Sequence, residues 1–252
     1  MINVVNYPIA FFICALIVLW LSTRLGVILT RRKGGLDDRA LQDFDLVMSA
    51  TLTLLGLIIG FSFSMAISRY DQRKNLEEEE ANAIGTEYLR VELLPAADAA
   101  KAKQLLVHYL DERIRFYITT GSELRQINAE TAQTQSELWS TVRAPASAQP
   151  TPVAATVVTG MNDVLNSQGY TQAAWWNRIP HQAWALMGLI AICANIQAGY
   201  RIRTRNPYIG FVLPVILSIA FFLIADIDSP RRGIVRVRPV NLVSLSDSLR
   251  QR

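Results

Sequence analysis

Four stretches of this chain are long enough and poor enough in charge to cross a lipid bilayer. Bilayer hydrocarbon is ~30 Å thick and a helix rises about 1.5 Å per residue, so a spanning helix needs about 20 apolar residues. The stretches run from about Val5 to Thr23, Leu46 to Ser68, Ile179 to Tyr200 and Tyr208 to Ile227. One such stretch is compatible with a buried core helix, but four with arginine or tryptophan at their margins are typical of a membrane protein.

The apolar residues, 51% of the chain, are concentrated in these stretches, whereas residues 70–178 have ordinary amphipathic, charged sequence. The predicted fold is therefore an all-α membrane protein with four transmembrane helices and a helical extramembrane domain between helices 2 and 3. We divide the chain into a transmembrane hairpin over 1–68, the extramembrane domain over 69–178, a second hairpin over 179–228 and a C-terminal tail over 229–252.

The net charge of +4 arises at the ends of the apolar stretches, without the basic, aromatic-interleaved face of a nucleic-acid-binding protein. We expect no nucleic-acid partner. Basic residues at 24–33 and 201–205 oppose those at 69–74 and 231–238, so the flanking charge leaves the side of the extramembrane domain open. Cys14 and Cys193 lie within apolar stretches and are expected to be packed thiols.

The extramembrane sequence predicts several further helices. The second membrane helix should continue to Pro95, followed by helices at about 97–119, 122–142 and 153–166, with 144–152 as a linker. The run Glu77 to Glu80 is either an acidic ring around an oligomer axis or a solvated helix surface. In the tail, alternation over 234–238 predicts a short strand or an extended arm, and a short helix near 244–250 follows.

The sequence contains no recognisable catalytic motif. His108 and His181 have no Cys, Asp or Glu at metal-ligand spacing, and the chain has no phosphate loop, nucleophile elbow or CxxC pair. We expect no enzyme, no metal site and no cofactor. Asp226 and Asp228 point in different directions on a helix, so they mark the helix end or provide a counter-charge for Arg69 or Arg231.

The second membrane helix carries a narrow face of small or hydroxyl-bearing residues within an arc of about 80°. These residues are Ser49, Thr53, Gly56, Gly60 and Ser64. Such a face packs against another helix or borders a pore, and the spacing of Gly56 and Gly60 favours helix packing by this face. Leu57 and Phe61 lie at its edge.

The run Gly60-Phe61-x7-Arg69-Tyr70 resembles the second membrane helix of bestrophin anion channels. The stretches GFSFSMAISRYDQRKNLEEEEANAIGTEYLR and DIDSPRRGIVRV resemble the bacterial bestrophin-like membrane proteins, which have four membrane helices, and this resemblance covers most of the chain. It implies a multi-pass protein of the bacterial inner membrane and a homo-oligomer, which in bestrophins is a pentamer with this helix lining the pore. Bestrophins hold the region between helices 2 and 3 in the cytosol.

By motif position, the hydrophobic neck of bestrophins corresponds to Thr53, Leu57 and Phe61. Thr53 departs from the pattern because it is polar, and Leu54 replaces the family's proline. The acidic calcium clasp of animal bestrophins has no counterpart. The resemblance implies a channel for chloride or other small ions, in which Arg69 biases the charge at one mouth. The alternative is a non-conducting membrane scaffold or signalling adaptor whose extramembrane helices bind partners.

Overall fold

A computed structural model describes residues 4–33, 38–202 and 208–251, which form eight α-helices and no strand. The helices are α1 (Pro8–Lys33), α2 (Asp38–Arg90), α3 (Ala96–Ile118), α4 (Glu123–Ala148), α5 (Pro152–Trp176), α6 (His181–Arg201), α7 (Ile209–Asp228) and α8 (Val240–Arg250). Short 3-10 helices span Val4–Asn6 and Val91–Leu93. Part of the predicted basic loop, residues 203–205, and Pro207 before the fourth membrane helix lie outside the described residues.

The four predicted transmembrane helices are confirmed as α1, the apolar part of α2, α6 and α7, which are long and apolar enough to cross a membrane. Their ends differ from the apolar stretches because helical backbone continues into charged sequence. α1 reaches Lys33, and α2 runs as one helix from Asp38 to Arg90. α7 continues through Pro214.

The chain divides into two compact units. The membrane unit comprises residues 1–70 and 178–236, and the extramembrane unit comprises residues 71–177 and 237–252. The predicted tail over 229–252 is therefore shared between the two units. In the membrane unit, α1 packs on α6 and α7. Its main apolar cluster is formed by Leu19, Leu55, Met187, Ala191, Ala194, Leu217 and Phe221.

The extramembrane unit is built around α3, α4 and α5, whose apolar faces are buried. Leu106, Leu110, Phe116, Ile127, Leu138, Val157, Met161 and Val164 form much of its core. Gly121 has a φ of +81° in the turn between α3 and α4, a conformation that glycine adopts without steric cost.

The predicted linker over 144–152 is wrong. α4 continues through Pro145 to Ala148, because the alternating alanines of this segment have high helix propensity. The break is confined to residues 149–151, after which the Thr151 hydroxyl caps α5 by accepting a hydrogen bond from Ala154 N at 3.1 Å. α5 then extends to Trp176, ten residues beyond the predicted end at 166.

Of the two alternatives for residues 234–238, a short strand or an extended arm, the described structure has no strand. The backbone amides of Ile234 and Val235 instead donate to the two carboxylate oxygens of Asp226, at 2.6 and 2.8 Å. Because a side chain satisfies these donors, the segment needs no neighbouring strand. The predicted terminal helix is present as α8, but it begins at Val240 instead of Ser244.

Candidate pore surface on the second helix

One face of α2 packs inside the membrane unit. Leu55, Ser62 and Ala66 are buried, and their spacing of seven and four residues places them on one side of the helix. Leu55 belongs to the main apolar cluster, and Ala66 contacts a second cluster with Ile179 and Ile224. This packing determines which side of α2 remains uncovered by its own subunit.

The three residues at the neck positions lie on the uncovered side. Leu57 is 53% exposed, Phe61 is 64% exposed, and Thr53 is exposed beside them. The Thr53 hydroxyl donates to Ser49 O at 2.8 Å, one turn earlier in the helix. Its hydrogen is therefore engaged within the helix.

The small-residue face does not pack within its own chain. Ser49, Gly56, Gly60 and Ser64 are all exposed. A Cβ atom built on Gly56 or Gly60 would meet no described atom within 4 Å. Within its own chain α2 buries its other side, so packing of this face against a helix of another subunit stays a prediction.

Arg69 and Asp228 are brought together at the end of the apolar part of α2. Arg69 Nη1 lies 3.5 Å from Asp228 Oδ1, and the Asp228 side chain is almost completely buried. Both carboxylate oxygens of Asp228 also accept the backbone amide of Ile179, at 3.3 Å. Asp226 instead holds the turn after α7, so the two aspartates do not act as a joint acid and base.

A close crossing of α1 and α6 was not predicted. A Cβ on Gly26 or on Gly199 would lie closer than 3.0 Å to backbone of the opposite helix. At this crossing Thr23 Oγ1 donates to Asn195 Oδ1 at 3.2 Å, and Thr30 Oγ1 donates to Tyr200 O at 2.7 Å. The crossing could have been inferred from Asn195, because an uncharged polar residue within an apolar stretch usually hydrogen-bonds to a neighbouring helix.

The glutamate run on α2 is not a fully solvated surface. Glu77 and Glu80 are buried, whereas Glu78 and Glu79 are exposed. Glu80 accepts from Arg113 Nε on α3 at 2.5 Å, and Glu77 accepts from the amides of Asn241 and Leu242 at the start of α8. The helical spacing of Glu77, Glu80 and Ile84 could have indicated one buried stripe.

A third glutamate of this stripe, Glu87, is fully buried, and neither of its oxygens has a hydrogen-bond partner in the described structure. Gly160 on α5 makes room for it, since a Cβ there would lie closer than 3.0 Å to Glu87 Oε2. The pKa of Glu87 is raised to about 8, mainly by burial. The charge of Arg90 acts to lower this pKa, and the charge of Asp163 acts to raise it. Burial likewise raises the pKa of Glu112 on α3 above its ordinary value.

In the part of the chain that the structure describes, no three His, Cys, Asp or Glu side chains form a group that could hold a metal ion. The exposed surface of α2 thus combines small or hydroxyl-bearing residues with large apolar side chains, among them Leu57 and Phe61. Such a surface can pack against a second subunit or border a water-filled passage.

Comparison with solved structures shows that this fold is already known. A tryptophan-to-alanine variant of a bacterial bestrophin homologue from Klebsiella pneumoniae matches with a TM-score of 0.65 and 14% identity, over 95% of this chain and 94% of that one. The crystal structure of the homologue solved by zinc anomalous phasing matches with a TM-score of 0.63 and 15% identity, over 93% and 98% of the two chains. At these identities the likeness establishes the fold alone.

Comparison with curated protein sequences gives no match. The family model described as the Bestrophin-like domain matches residues 9–242. The family predicted from the motif on α2 is thereby confirmed. Since this match extends over most of the 252 residues, the chain belongs to the bestrophin-like family.

Proposed function

We propose that this protein is the subunit of a homo-oligomeric ion channel in which the exposed face of α2 borders the pore. The observation that carries the proposal is the contrast between two exposed helix faces. On α1 the exposed side chains are large and apolar, as expected for contact with lipid: Ile13, Ile17, Leu21, Leu25 and Ile28. α2 also exposes large apolar side chains such as Leu54 and Met65, but one of its exposed faces carries Ser49, Thr53, Gly56, Gly60 and Ser64.

A lipid-facing surface favours large apolar side chains, whereas small and hydroxyl-bearing residues allow close helix contact or contact with water. The α2 face is therefore better suited to a subunit interface or a pore than to lipid. An oligomer places the same face of each subunit around a common axis, and the family resemblance favours a pentamer.

Within such a pore, Leu57 and Phe61 form the neck. They lie one turn apart, about 6 Å along the helix. Rings of these side chains would close the passage by bulk and by dewetting, and Thr53 would offer its hydroxyl to a passing ion. Chloride or other small ions are the proposed cargo, and the proposed location is the bacterial inner membrane.

Arg69 lies at one proposed mouth of the pore, at the end of the apolar part of α2. Its pairing with Asp228 offsets part of its charge, so we propose a weaker bias on passing ions than a bare arginine would produce. The pair also connects α2 to α7, and the backbone amide of Ile179 joins it through Asp228. A substitution here would therefore change both charge and packing at the mouth.

The neck is tested by ion flux from liposomes that contain the purified protein. Leu57→Ala and Phe61→Ala should each raise flux, because they widen the constriction and ease its wetting. Leu21→Ala is the matched control, since Leu21 on α1 is 52% exposed and loses the same atoms as Leu57. If neither α2 variant differs from Leu21→Ala, the neck assignment is wrong.

A non-conducting scaffold or adaptor is the second candidate. It is favoured by exposed aromatic residues on α5, where Tyr170 and Trp176 are 62% and 74% exposed and could contact a partner protein. Mass measurement in mild detergent separates the two functions. A ring of subunits supports the channel, whereas a single monomeric mass would favour the scaffold.

A further inference from the structure

Three arginines of the membrane unit lie where apolar helical sequence ends, at one membrane border. Arg69 is on α2, Arg178 precedes α6, and Arg232 follows α7. We refer to Arg69, Arg178 and Arg232 as the arginine cluster. The first residues before α1 belong to the same border, because Asn6 and Tyr7 contact the cluster directly.

The carboxylates of this border do not neutralise the cluster. Asp226 is occupied by the amides of Ile234 and Val235, and Asp228 by Arg69 and the amide of Ile179. In the described structure no carboxylate lies within ion-pair distance of Arg178 or Arg232. The border therefore carries a surplus of positive charge.

The two guanidinium groups converge on adjacent residues. Arg178 Nη1 donates to Asn6 Oδ1, and the Arg232 guanidinium lies 4.1 Å from the centre of the Tyr7 ring. The pKa of Arg178 is lowered mainly by burial; the charge of Asp228 acts to raise it, and the like charge of Arg232 acts to lower it. In addition, Arg178 Nε is buried without a hydrogen-bond partner among the described atoms. This arrangement leaves guanidinium donors available to an anion.

The location identifies the kind of anion. α1 begins at Pro8, the apolar part of α2 ends near Ser68, α6 begins at His181 and α7 ends at Asp228, so these ends share the level of the lipid head groups. An aromatic residue at this level is typical of the membrane interface. Ile9, one turn into the membrane from the cluster, is exposed and suited to contact with an acyl chain.

We propose that Arg178 and Arg232 bind the phosphate of an anionic phospholipid head group at this border. Guanidinium groups bind phosphate oxygens through paired N–H donors, and basic pockets between membrane helices are suited to anionic lipids. The bound phosphate supplies the negative charge that the local carboxylates do not. The proposal is independent of whether the protein conducts ions.

The test uses the purified full-length chain in neutral detergent and measures the shift in melting temperature with added lipid. The probes are phosphatidylglycerol, phosphatidylcholine and inorganic phosphate. We expect phosphatidylglycerol to stabilise the protein most, and the R178Q/R232Q variant to bind it roughly 30-fold more weakly. The control is R125Q/R143Q, which removes the same charge from exposed positions of the extramembrane unit and should bind like the unmodified chain.

Equal affinity of R178Q/R232Q and the control for phosphatidylglycerol would overturn the proposal. So would stabilisation by inorganic phosphate equal to that by the lipid, because the site would then take a free anion. If the double variant does not fold, R232Q replaces it, since the Arg232 side chain is exposed. An unchanged lipid affinity of that single variant would likewise overturn the proposal, and a loss would support it.

Discussion

Nε of Arg113 donates a hydrogen bond to Oε1 of Glu80 at 2.5 Å, and both side chains are completely buried in the extramembrane unit. The hydroxyls of Tyr117 and Thr171 donate to Oε2 of the same carboxylate, each at 3.3 Å. The Arg113 guanidinium also lies 4.3 Å from the centre of the Phe116 ring. One carboxylate of α2 thus connects α3 and α5 through three side chains.

We predict that Glu80→Ala destabilises the protein by about 3–5 kcal/mol, because it leaves the Arg113 charge buried without its partner. The measurement is urea unfolding of the full-length chain in neutral detergent, followed by circular dichroism. Glu79→Ala is the control, since Glu79 is the exposed neighbour in the same run and should change stability by less than about 0.5 kcal/mol. Similar losses for the two variants would contradict a specific role for the ion pair.

The α1–α6 crossing predicts a second effect on stability. Gly199→Ala places a methyl group against the Thr23 backbone, where no space exists, and should cost about 1–3 kcal/mol through overpacking. Gly188→Ala on the same helix meets nothing within 4 Å and should be neutral or slightly stabilising. Melting temperatures in detergent compare the two variants. A Gly199→Ala protein as stable as Gly188→Ala would show that the helices can separate without cost.

Glu87 predicts a dependence of stability on pH. Its pKa is raised from 4.5 to about 8 in the folded protein, so between these values the folded state holds a proton that the unfolded state has lost. Stability should therefore decrease as the pH rises from about 4.5 to about 8.

The free energy of unfolding, measured across this pH interval, should decrease in the unmodified chain and change less in Glu87→Gln. Glu112, whose pKa is also raised, accounts for a residual slope. An identical slope in Glu87→Gln would contradict this role for Glu87.

The attachment of α8 depends on Glu77. Its Oε1 accepts the amides of Asn241 and Leu242 at 2.9 and 3.0 Å, and its Oε2 accepts Asn241 Nδ2 at 2.7 Å. Glu77→Ala should weaken the start of α8 by about 1–2 kcal/mol, as loss of a helix cap does. Hydrogen exchange of residues 240–250 should then become faster, while Glu78→Ala, which removes an exposed carboxylate, should leave it unchanged. Equal exchange in the two variants would show that α8 is held by its apolar contacts alone.

The sequence alone was sufficient for the fold class. The four membrane helices could be identified because hydrocarbon thickness sets a minimum length and charge is excluded from that length. The stretches over residues 60–90 and 226–237 were sufficient for the family, because together they resemble the bacterial bestrophin-like proteins. Neither inference required knowledge of which helices contact each other.

The tertiary structure decided which side chains those helices bury. The spacing of Glu77 and Glu80 could indicate a shared buried stripe but not the partners that bury it, because Asn241 and Arg113 lie far away in the chain. Gly56 and Gly60 had the spacing of a packing motif, yet α2 buries the side that carries Leu55. The sequence pattern shows how apolar and polar residues are spaced along one helix. Burial of those residues depends on the surfaces of distant segments that pack against the helix.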